Sequence, residues 1–562
     1  MQRRFRVGVC QGAAVVALGI VLTVVMTFPV ATRMSSGGRV DNEDGMWSVW
    51  SVAWVARTLV VEPSSLYDAN IFHPHRRTLT FGENNLGPGV LAIPVYWLTG
   101  NPYAAHNSVL LLSFVLSFVA MFYLVRYLTG DAAGAIVPAI LFAFCPYVFA
   151  RFAHIHLVFI GVLPLALLAF HRLVEQQTMG RAAALGLVLA GAGLTSGYYG
   201  IFAGLAVGLG ALVHSATDRR WRRWPYWASM LSAAGIASVV LLPFFIPYRE
   251  LERETGFMRL LEDADRFSAD WRSYFASSAW THRWMLPLLG SWREVMFPGF
   301  LACGLGVLGL RIGLRRGHAN RTREATVFYA ILAGLACWAS FGPRAGLYAV
   351  LYEAVPVLSF IRASARLGVL VTLSLAVLSG VGMAWVLSHR TAATRRRWVL
   401  AVALAAVLEL ASMPVAWFDA PPGSQAYRML KVLPRAAVAE FPFFWQRRGL
   451  ARHSYYMLNS TQHWQPLLNG YNNYIPPDFA WMLPHLETFP ARHPFDILVD
   501  RGVRYVVFHL QLYDERSRAA VLRQIETYKA HLRPLVREDD VWLFEIVDWP
   551  PPDHVSELDA ES

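Results

Sequence analysis

The chain has 562 residues, 55% of them hydrophobic and only 16% charged. A soluble chain would carry about 25% charged residues, and here apolar stretches near the ~20-residue spanning length recur along most of the sequence, which excludes an ordinary set of soluble domains and marks a polytopic membrane protein. The net charge is +12, but the arginines gather in short loops between apolar segments, which is a topology signal, so no nucleic-acid partner is expected.

Residues 1–31 open with Arg3, Arg4 and Arg6 before a long apolar run without a clean cleavage site, and they read as a retained signal anchor. Spans are expected near 9–31, 105–127, 133–150, 156–171, 182–196, 198–213, 226–247, 298–314, 325–342, 365–387 and 398–416. The segment 86–99 is apolar but short and proline-broken, hence interfacial or re-entrant. With the N-terminus inside, the arginine clusters at 3–6, 172–181, 219–223, 311–323 and 390–397 all fall on the inner side, as the positive-inside rule requires. The expected fold is an α-helical polytopic membrane protein of about eleven transmembrane helices, N-terminus in and C-terminus out. Its transmembrane domain is 1–416, with the extracytoplasmic loops 32–104, 248–297 and 343–364. Residues 417–550, introduced by Pro421-Pro422-Gly423, are expected to form a small extracytoplasmic α/β domain: 504–510 and 541–547 read as strands and 513–531 as an amphipathic helix. The acidic tail 551–562 reads as disordered.

No Walker A, GxGxxG, HExxH or GxSxG motif is present, so nucleotide hydrolysis and zinc-peptidase chemistry lose their usual support. Cys10, Cys145, Cys303 and Cys337 lie far apart in or beside apolar segments, as small buried hydrophobes do. The outer face begins at Asp41-Asn42-Glu43-Asp44, followed by a helix expected over 45–61 that carries Trp47, Trp50 and Trp54 on one face and reads as interfacial. Asp44 fits an N-cap, and it also fits a general base whose pKa rises at the membrane edge. Glu83 is either a solvated turn residue or a second carboxylate that orients an acceptor. His73 and His75 flank Pro74; as metal ligands they would need Asp44 or Glu83 beside them, and the spacing is a weak signal.

Further along, His154 and His156 are either helix-packing partners or contacts to acceptor or donor. Arg362 and Arg366, four apart and so expected on one helix face, stand at the outer entrance of the 365–387 span, where an arginine fork suits a lipid phosphate. Arg249 and Arg253 repeat the pattern, with Glu250, Glu252 and Glu254 as competing partners. Gly200, Gly204 and Gly208 form a row suited to close helix packing, and Asn459-Ser-Thr461 fits a glycosylation sequon.

Several stretches carry a resemblance: Asp44-Gly-Met-Trp-Ser-Val-Trp50, Tyr67-Asp68-Ala-Asn-Ile-Phe-His-Pro-His75, Leu98-Thr-Gly-Asn-Pro102, Phe144-Cys-Pro-Tyr147, Phe297-Pro-Gly299 and Ile361-Arg-Ala-Ser-Ala-Arg366. Together they resemble bacterial GT-C type polytopic membrane glycosyltransferases over most of residues 1–416. The resemblance implies a polyprenyl-phosphate sugar as donor, no nucleotide sugar, and a catalytic acid in the first outer loop. By position that acid is Asp44, with Asp41 and Glu43 as alternates. A divalent cation stays open, because enzymes of this class differ in using one. The expected reaction is transfer to an extracytoplasmic lipid, glycan or protein acceptor at the bacterial inner membrane. In it Arg362 and Arg366 hold the donor phosphate, Asp44 takes the acceptor proton, and the anomeric carbon inverts. The alternative is a non-catalytic multi-pass membrane protein, a lipid or polymer transporter or an envelope-polysaccharide assembly factor; a transporter would show two related halves with broken helices, and the sequence shows no such duplication.

Overall fold

The structure is a computed structural model and describes residues 2–39, 43–315, 320–446 and 449–550. Asp41 and the acidic tail 551–562 lie outside the described residues.

The apolar stretches fold as helices, which satisfy their own backbone hydrogen bonds where water is absent. In chain order they are α1 (Gln2–Met26), α2 (Glu43–Val61), α3 (Leu86–Thr99), α4 (Pro102–Thr129), α5 (Ile136–Ala143), α6 (Pro146–Ala150), α7 (Ile155–Val158), α8 (Val162–Glu175), α9 (Met179–Thr195) and α10 (Gly197–Ser215). There follow α11 (Trp224–Thr255), α12 (Leu261–Arg266), α13 (Leu286–Leu289), α14 (Phe300–Gly313), α15 (Asn320–Ser340), α16 (Leu347–Ala354), α17 (Gly368–Ser388) and α18 (Ala392–Leu410). Among the described residues, four helical stretches are long and apolar enough to cross a membrane: α4, α10, α11 and Ser364–Ser388. The stretches read as spans at 133–150 and 156–171 are each broken in two, the first at Cys145-Pro146, where proline disfavours a continuing helix. The short segment 86–99 forms one helix with Pro94 inside it.

The chain divides into two compact units: the first takes in the residues up to Met34, Asn85–Pro88 and Asn107–Ala416, the second Ser35–Asn84, Gly89–His106 and the chain from Trp417 on. In the first unit, α11 turns apolar side chains outward, with Leu231, Val239 and Leu242 exposed by 63%, 73% and 61%. A 32-residue apolar helix with such a surface suits lipid, not water. By contrast α17 is buried nearly all round, as a helix at the centre of a bundle is.

It crosses α14 at glycines. A Cβ built on Gly309 would overlap the carbonyl oxygen of Leu378, and one on Gly382 would stand 2.6 Å from the Leu305 oxygen. Close backbone approach of this kind is what small residues contribute between helices in lipid. Gly309→Leu must therefore push the two helices apart, at a cost of ~1–3 kcal/mol or more. A thermal melt in detergent should show a midpoint several degrees lower; an unchanged midpoint would mean the crossing is not a stability determinant. The expected Gly200, Gly204 and Gly208 row is only partly a packing row: a Cβ on Gly200 would meet Gly193 Cα at 2.6 Å, whereas Gly204 and Gly208 face open space.

In the second unit the sequence from 417 folds as α/β. The strands are β1 (Gly37–Gly38), β2 (Phe418–Asp419), β3 (Ala437–Phe441), β4 (Val503–His509), β5 (Leu532–Glu538) and β6 (Val541–Ile546). β1 and β2 pair antiparallel; the other four form a sheet in the order β3-β4-β6-β5, with β3 parallel to β4 and the remaining pairs antiparallel. The helices here are α19 (Gln425–Val432), α20 (His453–Ser460), α21 (Pro477–Leu486), α22 (Arg492–Asp500) and α23 (Glu515–Thr527). The edge of β3 is closed by a side chain: Asn469 accepts from the Glu440 N–H at 2.7 Å and donates to the Glu440 carbonyl at 2.8 Å. Covering an edge strand in this way removes a template for unwanted pairing. Asn459 of the sequon is buried in α20, which makes it a poor glycan acceptor in the folded chain.

Two buried imidazoles make this unit sensitive to acid. Burial lowers His453 to about 4 and His463 to about 3. Both are used as acceptors: His453 Nδ1 receives the Asn469 amide at 3.2 Å, and His463 Nδ1 receives the Gln465 N–H at 3.0 Å. Their folded pKa lies below the unfolded value, so the unfolded chain binds more protons under acid. Stability is therefore complete above about pH 6.5 and falls as the pH drops from there toward 4, by up to ~1.4 kcal/mol per pH unit for each imidazole. Unfolding midpoints of the second unit measured from pH 7.5 to 4.5 should drop, and a flat profile would contradict this assignment.

Candidate functional site

The chemistry-bearing residues fall in both units, and each group stands on its own geometry. In the second unit α2 starts at Glu43, so Asp44 lies inside the first turn and is not the cap that its sequence position suggests. Glu43 and Asp44 both sit where the helix macrodipole favours a negative charge. Asp44 is half-buried, and the Tyr471 hydroxyl donates to its Oδ1 at 3.3 Å.

The tryptophan face of α2 is not an interfacial face. Trp47, Trp50 and Trp54 are 7%, 0% and 5% exposed. Trp50 Nε1 donates to Asn70 Oδ1 at 3.2 Å and Trp54 Nε1 to the Leu66 carbonyl at 2.9 Å. The loop after α2 thus supplies the acceptors that the Trp50 and Trp54 indoles need when buried. Asn70 continues inward to Ser460 Oγ and the Gln465 carbonyl, both at 3.1 Å. This locks α2 against the C-terminal part of the same unit and fixes the turn that bears Asp44.

Glu83 is half-buried, between a 3-10 turn at Thr78–Phe81 and α3. One loop, 469–474, touches both acid-bearing stretches: Tyr471 reaches Asp44, the Tyr474 N–H donates to the Phe81 carbonyl at 2.9 Å, and a Cβ on Gly82 would overlap Asn472. Sequence reasoning missed this loop. Its signal is the run Asn469-Gly-Tyr-Asn-Asn-Tyr474, dense in hydrogen-bonding side chains.

The two histidines proposed as weak metal candidates have other partners. His75 Nε2 pairs with Asp478 Oδ1 at 2.9 Å, and Arg501 reaches the other oxygen of that carboxylate at 2.7 Å. Burial alone would raise Asp478, but Arg501 and His75 outweigh it and hold the carboxyl below its ordinary value. Burial lowers His73, against a hydrogen bond to the Arg501 backbone. Among the described residues no group of three or more His, Cys, Asp or Glu converges as a metal site.

In the first unit Arg362 and Arg366 share one short stretch ahead of a helix and do not lie on a helix face. Residues 361–363 are irregular and Ser364–Leu367 is a single 3-10 turn ahead of α17. Each guanidinium lies over a ring: Arg362 over Phe267 at 4.5 Å and Arg366 over Tyr198 at 4.3 Å. Cation–π contacts of this type fix the plane of an arginine fork. His156 is buried within electrostatic reach of Arg366, and its Nδ1 has no hydrogen-bond partner among the described residues. The His154 ring meets it edge-on at 5.9 Å. Arg151 is a further cation in this neighbourhood that the sequence reading left aside. It is buried, stacked on Tyr147 at 3.8 Å and paired with Glu294 at 2.5 Å, so its charge is neutralised locally. Arg249 and Arg253 are exposed on the last turns of α11.

Comparison with known proteins bears on the fold. The profile of a family described as "Domain of unknown function (DUF6311)" matches residues 90–411. No curated protein matches the sequence. Among solved structures, an oligosaccharyltransferase of Archaeoglobus fulgidus in the apo form is similar with a TM-score of 0.52 at 14% identity, covering 96% of this chain and 75% of that one. The same enzyme tethered to an acceptor peptide gives 0.50 at 13% identity, covering 96% and 74%. A mutant of the arabinofuranosyltransferase AftD from Mycobacteria gives 0.57 at 18% identity, covering 95% of this chain and 41% of that one. The fold is therefore that of the GT-C type membrane glycosyltransferases.

Proposed function

Starting from a chain that belongs to the DUF6311 family, we propose that it is a GT-C type glycosyltransferase that moves a sugar from a polyprenyl-phosphate donor to an extracytoplasmic acceptor. The observation that carries this reading is the paired arginine turn, Arg362 and Arg366, each stacked on an aromatic ring within a GT-C type fold. Fixed, planar, permanently charged donors suit a phosphate that must be bound and then released.

In the proposed reaction the acceptor hydroxyl attacks the anomeric carbon and gives its proton to Asp44. The bond from that carbon to the phosphate oxygen breaks, and the electron pair leaves with the polyprenyl phosphate. Arg362 and Arg366 stabilise the charge that develops there. A single displacement of this kind inverts the anomeric centre. Tyr471 orients the Asp44 carboxylate through its hydroxyl, and Glu83, His154 and His156 serve as acceptor-orienting groups. Arg249 and Arg253 are second-line anion contacts. The topology belonging to this reading has about eleven spans, with the N-terminus inside, the loops 32–104, 248–297 and 343–364 outside, and residues 417–550 as an outer domain at a bacterial inner membrane.

The test is transfer of a labelled sugar to extracted envelope acceptors by the purified chain, with polyprenyl-phosphate sugars compared against nucleotide sugars. The proposal expects incorporation from the lipid donor alone. Incorporation from nucleotide sugars, or none from any lipid donor, would refute it.

A further inference from the structure

The arginine turn is not a regular element and draws its support from elsewhere. Three phenols from three separate helices reach its backbone. Tyr348 of α16 donates to the Ile361 carbonyl at 3.3 Å, Tyr147 of α6 to the Arg366 carbonyl at 3.5 Å, and Tyr198 at the start of α10 accepts the Arg362 N–H at 3.2 Å. Two further bonds tie the turn to the 264–267 stretch: Ser364 Oγ donates to the Ala264 carbonyl at 3.1 Å, and the Ala365 N–H to the Phe267 carbonyl at 3.3 Å.

Among the described residues, Tyr198 is the phenol of the three that also lies against a guanidinium of the turn itself; Tyr147 lies under Arg151 instead. The ring of Tyr198 lies under Arg366 at 4.3 Å while its hydroxyl holds the backbone of Arg362. Tyr198 is itself fixed: it is 7% exposed, and its ring meets Phe202 edge-on at 6.1 Å. We propose that Tyr198 is the positioning residue of the donor-phosphate site, setting the spacing of the two arginines with a single rigid side chain. This rests on the reading of Arg362 and Arg366 as the phosphate site.

The physical basis is entropy. A free arginine loses much rotamer freedom when it grips an anion, and a guanidinium already held flat on a ring has lost part of it beforehand. The benefit appears only when the ligand carries the charge that the arginines meet. Removing Tyr198 should therefore weaken binding of a phosphorylated polyprenol and leave the uncharged alcohol unaffected.

The experiment titrates the full chain in detergent with undecaprenyl phosphate and, in parallel, with undecaprenol. Tyr198→Phe keeps the ring and loses the acceptor for the Arg362 N–H; about 3-fold weaker binding of the phosphate is expected. Tyr198→Leu loses the ring as well; about 10-fold weaker binding is expected. Neither variant should change binding of the alcohol. If Tyr198→Leu is poorly folded, Tyr198→Phe decides by the same phosphate-against-alcohol difference. Normal phosphate binding by the Tyr198 variants alongside weak binding by Arg366→Gln would overturn the positioning role and leave the phosphate site standing. A wild-type chain that binds phosphate and alcohol equally would overturn the phosphate site, and the role of Tyr198 with it.

Discussion

Asp44→Asn should lower kcat for sugar transfer by ~10²–10⁴-fold while the chain remains folded. The size follows from losing the group that accepts the acceptor's proton, since an amide is no base at neutral pH. The retention of structure follows from the surroundings. Asn keeps an oxygen for the Tyr471 hydroxyl, and α2 is held by the Trp50–Asn70 and Trp54–Leu66 bonds, none of which involves position 44. The substitution removes a first-turn charge that favours the helix macrodipole, worth ~0.3–1 kcal/mol. Initial rates at saturating donor together with a thermal melt separate the two effects. Transfer at the wild-type rate would remove Asp44 from the chemistry and shift attention to Glu43, which lies in the same turn.

The second large effect belongs to the arginine turn. Arg366→Gln should lower kcat/KM by ~10–200-fold, the range for deleting one hydrogen-bonding partner of a charged group. The loss should fall on kcat as well as KM, because negative charge gathers on the phosphate as the glycosidic bond breaks and the interaction is strongest in the transition state. Arg366→Lys should recover little. An ammonium keeps the charge, but it does not present a planar fork on the Tyr198 ring. Arg362→Gln should behave similarly, since Phe267 holds that guanidinium in the same manner. Steady-state kinetics across a donor series measures both constants. A change in KM alone would mean that the arginines bind the lipid without assisting bond cleavage.

Part of the architecture is legible in the sequence because its signals are local. Hydropathy locates the helices, and short runs rich in β-branched and aromatic residues locate β4 and β6 to within about a residue. β3 and β5 escape notice: β3 is a five-residue run buried throughout and without alternation, and β5 is interrupted by Pro534 and charged residues. The candidate acids and arginines are visible as charges against an apolar background, but their arrangement is not. Arg362 and Arg366 look like neighbours on a helix because they are four apart; what unites them is Tyr198, more than 160 positions away in the chain and tied to Arg362 by a hydrogen bond. Tyr471 reaches Asp44 across 427 positions, a pairing no local pattern encodes. The tryptophans of α2 mislead for the same reason. Their spacing is helical, as expected, but whether that face meets lipid or protein depends on Asn70 and Leu66 in the loop that follows.

The most direct measurement of the central claim follows the lipid product. The purified chain is incubated with polyprenyl-phosphate sugars and envelope acceptors, and free polyprenyl phosphate and glycosylated acceptor are quantified together by mass spectrometry. The account predicts one polyprenyl phosphate released for each sugar incorporated, and no release with Asp44→Asn. Lipid-linked sugar that crosses the bilayer or stays bound with its glycosidic bond intact, with no polyprenyl phosphate released, would contradict it and make the chain a carrier or scaffold.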